Sequence, residues 1–248
     1  MESIKALRKI CQASEQKRTQ HILSIRFFRL FSIYLTWLLL HTRITPNQIT
    51  ILGTSICVLS PFLFILNDPL WNIVAVALYI LGYVLDYCDG EVARYRKTAG
   101  KAGLWYVEPA SHDIQYGLFF IPLGFAAYQI DPSIWMIVLG FSASLSKLLT
   151  RALESRFQIL KLLRLQYLGQ LEKPKEKPST SAPIDYMRLD AKIYEIVFKS
   201  PAFTWVLIFS GLTQRFDLFL WFYGTTLPLI FLLFLVITHF KIQPYLKA

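Results

Sequence analysis

Long apolar runs separated by short polar turns dominate this sequence, and they restrict its fold more than any other feature. Hydrophobic residues make up 54% of the 248 residues and charged residues only 17%, whereas soluble domains carry about 25% charged residues. Runs of roughly 20 apolar residues are long enough to cross a bilayer as helices. Because lipid offers the backbone no hydrogen-bond partners, such runs must satisfy their peptide groups within helices. The sequence therefore predicts an all-α membrane protein.

Six apolar runs predict six transmembrane helices within a domain that spans residues 44–248. Proline, asparagine and aspartate mark turns between several of the runs. Thr45 followed by Pro46 is typical of a helix N-terminus and predicts where the first span begins. The runs cover about residues 48–66, 71–94, 104–128, 134–153, 198–212 and 218–239.

Two segments outside the spans predict cytoplasmic or interfacial structure. Residues 1–43 include an apolar stretch from Leu23 that contains Arg26 and Arg29, which favours an amphipathic helix at the membrane surface. The alternative is a full span, in which both arginines would need to snorkel or find partners. Residues 171–186 are rich in Lys, Pro and Ser and predict a mobile cytoplasmic loop.

The basic residues predict how the chain is oriented in the membrane. Of the 26 Lys and Arg residues, 24 fall in residues 1–45, 94–101, 151–199 and 241–248. Positive residues concentrate on the cytoplasmic side, so both termini are predicted there. The net charge of +10 then matches contact with anionic lipids, and we expect no nucleic-acid partner.

Two acids in the second span are the first candidates for chemistry. Asp86 and Asp89 are three residues apart, so both carboxylates lie on one face of a helix. Carboxylates in a membrane span are costly and mark ion or substrate sites. The pair would repel unless a cation intervenes, and Mg²⁺ together with phosphates satisfies that need.

The residues that follow the acids fit a phosphate-binding site. Gly90 and Ala93 leave room for a bulky group near the backbone, and Arg94 offers a guanidinium fork suited to phosphate. The alternative is an acidic pair that only forms salt bridges with Arg94 and Arg96 at the interface.

The third span carries a complementary polar face. Glu108 and His112 are four residues apart and lie at a depth comparable to Asp86. The two spans run antiparallel through a short connection, so these polar faces can meet and form a site of three carboxylates and one imidazole. The alternative is that His112 is an ordinary core histidine.

Residues 86–103 resemble the signature of the CDP-alcohol phosphotransferase (CDP-alcohol phosphatidyltransferase) family of integral membrane enzymes. That signature is Asp-x2-Asp-Gly-x2-Ala-Arg-x8-Gly-x3-Asp-x3-Asp. The six predicted spans and the Thr45-Pro46-Asn47 start of the first span are also similar to the family. The matching residues are Asp86, Asp89, Gly90, Ala93, Arg94 and Gly103.

The last two acids of the signature are replaced in this chain. Strict spacing places them at Val107 and Ser111, whereas a shift of one residue gives Glu108 and His112. The sequence is therefore interpreted as a variant motif with Glu and His in place of two Asp. Asp113 is an alternative base, although it points about 100° away from His112 around the helix.

The resemblance implies a metal-dependent transferase. One or two Mg²⁺ or Mn²⁺ ions would be bound by Asp86, Asp89 and Glu108, and His112 would be the base or a further metal ligand. The nucleotide and its phosphates would contact Asn47, Gly90, Ala93, Arg94 and Gly103.

The implied reaction passes a phosphoalcohol group from a CDP-linked alcohol to an acceptor hydroxyl and releases CMP. At least one substrate would be a lipid, in phospholipid or related lipid or glycan synthesis, and the enzyme would be a homodimer with its active site facing the cytoplasm. Lys147, Arg151 and Arg156 would bind an acceptor phosphate or would simply be positive-inside charge.

Two other classes of protein remain open from the sequence. A catalytically divergent scaffold of the same fold would bind nucleotide or lipid without turnover, and the Glu and His replacements favour it. An ion-coupled transporter would use Asp86 and Asp89, but no discontinuous helix pairs accompany them.

Overall fold

The computed structural model describes residues 2–16, 23–98, 103–167 and 200–246, and in these residues the chain is all-helical, as predicted. The predicted loop at about residues 171–186 lies outside the described residues. In chain order the helices are α1 (Ile4–Gln16), α2 (Leu23–Leu40), α3 (Pro46–Leu59), α4 (Pro69–Arg96), α5 (Glu108–Leu118), α6 (Phe120–Ile130), α7 (Ile134–Tyr167), α8 (Ser200–Thr213) and α9 (Phe216–Leu246). A 3-10 turn over Ser60–Leu66 extends α3, and a π turn over Gly103–Val107 precedes α5.

Side-chain caps explain where α3 and α4 begin. The Thr45 hydroxyl accepts the Gln48 amide at 3.3 Å, and the Gln48 side chain accepts the Thr45 amide at 2.9 Å. This capping box, with Pro46 in the first turn, confirms the predicted start of the first span. Asp68 caps α4 in the same manner by accepting the amide of Leu70 at 2.9 Å.

Within the described parts of the chain, four helices are long and apolar enough to cross a membrane. They are Pro46–Leu66, Pro69–Arg96, Ile134–Leu160 and Phe216–Phe240. These confirm the first, second, fourth and sixth predicted spans as candidate transmembrane helices, and they identify the chain as an integral, multi-pass membrane protein.

The other two predicted spans are not confirmed. The predicted third span consists of the π turn followed by α5 and α6, each of 11 residues. One helical hydrogen bond is missing between α5 and α6 because Pro122 has no amide hydrogen to donate to the Leu118 carbonyl, while the Phe119 backbone between them stays helical (φ −62°, ψ −44°). The predicted fifth span corresponds to α8, which has 14 residues in the described part of the chain. Six spans therefore remain a prediction.

Glycines let pairs of these helices cross closely. A Cβ on Gly82 in α4 would lie 2.8 Å from the Gly53 carbonyl of α3. A Cβ on Gly140 in α7 would lie 2.9 Å from the Gly124 Cα of α6. Small residues at such crossings allow the backbone contact that holds membrane helices together. Between the helices lies a core rich in aromatic rings, with Phe64, Tyr79, Phe119, Phe120, Phe216, Phe219 and Tyr223.

We expect Gly140→Ala to destabilise the protein by about 1–3 kcal/mol, because the new methyl group meets backbone atoms that cannot rotate away. The Phe120 carbonyl would lie only 2.8 Å from it. Gly117→Ala is the matched control, since the nearest atom is the Leu148 Cδ2 at 3.6 Å. Thermal unfolding in detergent measures both, and equal melting temperatures for the two variants would contradict the prediction.

The N-terminal helices pack on α4 with an unusual distribution of polarity. The buried face of α2 contains Ser32 and Thr36, both 0% exposed, beside Phe28 and Ile33. The outer face is apolar, as expected for a helix in contact with lipid. Its exposed residues are Phe27, Leu30, Phe31, Tyr34, Trp37 and Leu38. The helix is confirmed, and its position at the membrane surface remains a prediction.

Candidate functional site

The C-terminal part of α4 carries the two predicted acids on a face that packs against α3. Asp89 Oδ2 accepts a hydrogen bond of 2.6 Å from the Thr50 hydroxyl. Thr50 is held in turn by the α3 backbone, since the same hydroxyl lies 3.1 Å from the Pro46 carbonyl. The capping box that starts α3 thus fixes the rotation of Thr50, and Thr50 orients Asp89.

Asn47 and Gly103 are brought together, although they are far apart in sequence. A Cβ on Gly103 would lie 2.7 Å from the Asn47 Oδ1. Glycine lets the Asn47 amide lie directly against the backbone here, so the first turn of α3 and the start of the π turn form one corner of the site. Both were predicted from the family resemblance to contact the nucleotide.

His112 faces Asp86 across the interface of α4 and α5. The His112 Nε2 lies 3.9 Å from the Asp86 Oδ1, with the side chains 27% and 41% exposed. The His112 ring stacks on Tyr116 with 5.9 Å between ring centroids. The predicted meeting of the two polar faces is therefore present for this pair. Glu108, one turn earlier, is exposed and lies within electrostatic range of Asp86 and His112.

A cavity of about 200 Å³ extends from Asp86 and His112 into the interior. Thr50 and Lys147 also line it. Much of the rest of its wall is aromatic and includes Tyr79, Phe119, Phe203 and Tyr223. The cavity is thus continuous from the acidic face of α4 to the packed rings between the helices.

Asp113, the alternative base, has a different environment. Its Oδ1 accepts a 2.6 Å hydrogen bond from the Arg151 Nε, and Arg151 also lies over the Tyr116 ring at 5.4 Å. Asp113 does not line the cavity. The ion pair engages both charges, which argues against Asp113 as the base and against Arg151 as a ready anion site.

Arg94 and Gly90 lie on the side of α4 that faces α1. The Arg94 Nε donates to the Cys11 carbonyl at 2.6 Å, and a Cβ on Gly90 would lie 3.1 Å from the Arg94 Nη1. The guanidinium therefore lies against the bare Gly90 backbone. Arg96 donates to the Thr42 and Ile44 carbonyls. Both arginines thus bond backbone carbonyls, and the alternative in which they only form salt bridges with the acids stays a prediction.

Sequence reasoning missed Glu91. Its carboxylate is 2% exposed and accepts hydrogen bonds from Gln12 at 2.7 Å, Ser32 at 2.7 Å and Thr36 at 2.6 Å. The sequence does show an acid at position 91, on the opposite face of α4 from Asp86. It was overlooked because the family signature allows any residue at this position.

The acids fit a divalent ion that is shared with a phosphate. Asp86 and Asp89 offer hard oxygen ligands, and Mg²⁺ commonly takes one or two carboxylates and completes its shell with water and phosphate oxygens. Among the residues that the structure describes, no three His, Cys, Asp or Glu side chains form a group that could enclose one ion. Glu108 is thus not gathered with the two aspartates into a closed site, and its predicted role as a ligand is left as a prediction.

Comparison with known proteins supplies one match. A family model described as CDP-alcohol phosphatidyltransferase matches residues 43–168, just over half of the chain. No curated protein matches the chain significantly. The matched segment begins just before α3 and contains the acids, the Asn47 and Gly103 corner and His112.

Proposed function

The chain belongs to the CDP-alcohol phosphatidyltransferase family, a family of transferases, and we propose that it moves a phosphoalcohol group from a CDP-linked alcohol to an acceptor hydroxyl and releases CMP. The observation that carries this proposal is the pairing of Asp86 with His112 at 3.9 Å. The pair lies beside Asp89 at one end of a cavity and within the segment that the family model matches.

The aspartates form the donor side of the proposed site. The family typically depends on divalent metal ions, and Asp86 and Asp89 would hold one, with Glu108 proposed as a third ligand. A bound Mg²⁺ or Mn²⁺ would neutralise charge on the pyrophosphate oxygens and hold them for displacement. Thr50 keeps the Asp89 carboxylate in position through its 2.6 Å hydrogen bond.

His112 is proposed as the base on the acceptor side. Its Nε2 takes the proton of the acceptor hydroxyl as the new oxygen–phosphorus bond forms at the β-phosphorus. The bond from that phosphorus to the CMP oxygen breaks, and CMP leaves with the bonding electron pair. Asp86, 3.9 Å from the ring, stabilises the imidazolium that results.

The π turn supports the one-residue shift that aligns Glu108 and His112 with the last two acids of the signature. A π turn has i→i+5 hydrogen bonds, so it accommodates one residue more than an α-helical turn. It occupies Gly103–Val107, directly between the last matching glycine and Glu108. The extra residue is thus absorbed before α5, and the three-residue gap between Glu108 and His112 is retained.

The nucleotide is proposed to bind on the α1 side of the acids. Gly90, against which the Arg94 guanidinium lies, and the adjoining pair Asn47 and Gly103 are its proposed contacts, together with Ala93. A phosphate that approaches Gly90 would meet this guanidinium, whose planar fork matches phosphate oxygens.

We propose that the site faces the cytoplasm, with both termini on that side, because the basic residues concentrate there. At least one substrate is proposed to be a lipid, and the enzyme to be a homodimer among membrane lipids. The reaction would serve phospholipid or related lipid and glycan synthesis.

Release of CMP by purified protein tests the proposed function. The protein is incubated with a panel of CDP-alcohols, with and without Mg²⁺ or Mn²⁺, while lipids that copurify are offered as acceptors. We expect metal-dependent CMP release with at least one pair. Nucleotide binding without CMP release from any pair would contradict the enzyme and favour the scaffold.

We expect Thr50→Val to lower kcat/KM by about 10- to 100-fold, because the partners that orient metal-binding carboxylates have effects of that size. Valine keeps the shape of threonine but cannot donate to Asp89. Thr213→Val is the control, since the Thr213 hydroxyl donates to the Phe209 carbonyl of its own helix at 2.8 Å. Equal kcat/KM values in the two variants would refute the role given to Thr50.

A further inference from the structure

Glu91 is a buried carboxylate on the motif helix, turned away from the two acids. It follows Asp86 by five residues and so lies about 140° around α4. A buried carboxylate is costly unless several donors surround it. The donors to Glu91 include Gln12 of α1 and Ser32 and Thr36 of α2.

These donors belong to a part of the chain that the family model does not match. The match begins at residue 43, after α1 and α2 have ended. Gln12, Ser32 and Thr36 are 3%, 0% and 0% exposed, so this polar cluster is closed off from solvent. Such a cluster fixes one arrangement of the helices because each lost bond leaves a buried polar group unpaired.

The same piece of α1 contacts Arg94. The Cys11 carbonyl accepts the Arg94 Nε at 2.6 Å, and the adjacent Gln12 bonds to Glu91 at 2.7 Å and to the Arg29 carbonyl at 3.0 Å. Glu91 therefore holds in place the backbone segment that holds Arg94 against Gly90.

We propose that Glu91 is a positioning residue that fastens α1 and α2 to the motif helix and thereby sets Arg94 for the phosphates of the CDP-linked donor. This inference rests on the proposed function. It makes residues 4–40 part of the working enzyme, although they lie outside the family match.

The role predicts a selective kinetic defect. If Arg94 loses its position, donor binding weakens while His112, Asp86 and Asp89 remain in place. Loss of hydrogen bonds to a buried charge corresponds to about a tenfold or greater rise in donor KM. The kcat at saturating donor should stay within about threefold of wild type.

Two variants test the positioning role of Glu91, one by changing Glu91 itself and the other by changing its hydrogen-bond donors on α2. Glu91→Gln removes the charge with little change in shape, and Ser32→Ala combined with Thr36→Val removes two donors without altering α4. Gln129→Leu is the control. It also deletes a hydrogen bond between two elements, the 2.6 Å bond from the Gln129 side chain to the Ile65 carbonyl, but that bond lies near the start of α4, away from Glu91.

Cys11 reports the docking of α1 independently of activity. Its side chain is 0% exposed, and burial, with a further contribution from Glu91, raises the pKa of the thiol to about 11. Both effects slow alkylation, since the thiolate is the reactive form. Peptide mapping by mass spectrometry after N-ethylmaleimide treatment should show labelling of Cys11 about tenfold faster in the two variants.

A raised donor KM with faster Cys11 labelling in both variants, and neither change in Gln129→Leu, would support the proposal. Donor KM values within about twofold of wild type would overturn it, even if Cys11 labelling accelerates, because the contact would then be structural only. If Glu91→Gln fails to fold, the single variant Thr36→Val tests the proposal, through its donor KM and its rate of Cys11 labelling. If the wild-type protein releases no CMP, the proposed function has failed; the inference is then judged by the Kd for a CDP-alcohol, which must rise in the variants.

Discussion

Replacement of Asp89 by Asn is expected to reduce metal-dependent CMP release by about a thousandfold or more, since a metal-bound charge contributes several kcal/mol to the transition state. Asparagine keeps the side-chain shape and can still accept the Thr50 hydroxyl, whose bond to Asp89 is 2.6 Å long. The fold should therefore survive, and only the anionic oxygen is lost.

CMP release as a function of Mn²⁺ concentration, together with Mn²⁺ binding followed by electron paramagnetic resonance, measures this effect. Asp131→Asn is the matched control, because Asp131 lies in the turn between α6 and α7, away from the motif. Turnover of Asp89→Asn within about threefold of wild type would refute the assignment of Asp89 as a metal ligand.

His112→Ala is expected to lower kcat by about 10²- to 10⁴-fold, the usual contribution of a general base, with little change in donor KM. The variant leaves open space beside Asp86 and Tyr116, which the ring otherwise contacts. Added imidazole should enter that space and restore part of the rate. His239→Ala, in α9, controls for the loss of a histidine elsewhere.

Wild-type kcat in His112→Ala would remove this residue from the chemistry. It would not transfer the role to Asp113, whose carboxylate is held by Arg151 at 2.6 Å and does not line the cavity. Unchanged kcat combined with weaker Mn²⁺ binding would instead assign His112 to the metal, the other role that the sequence left open.

Local signals in the sequence predicted local structure well. The Thr45 cap and the start of α3 follow from three adjacent residues, because a cap is satisfied within one turn. The shared face of Asp86 and Asp89 follows from helical periodicity alone. The approach of His112 to Asp86 needed one further assumption, that two apolar runs joined by a short connection lie antiparallel, and the structure places the two side chains 3.9 Å apart.

Contacts that depend on how helices rotate against each other were not predictable in this way. Lipid is as apolar as the side chains, so apolar periodicity does not specify which face of a span contacts which neighbour. The pairing of Asp113 with Arg151 and the burial of Glu91 against α2 depend on such rotations. The missing hydrogen bond near Phe119 could have been predicted, since Pro122 stands in the sequence within the third apolar run.

The lining of the cavity has a consequence for how this protein can be shortened or recombined. Phe203, Tyr223 and Leu227 line it, and all three come after residue 168, where the family match stops. A fragment cut at that boundary would retain every residue proposed for proton transfer and metal binding, but its cavity would lack these three walls. Part of the cavity wall is therefore encoded outside the stretch that carries the reacting groups, and exchange of α8 and α9 between relatives would change the shape of the chamber without altering those groups.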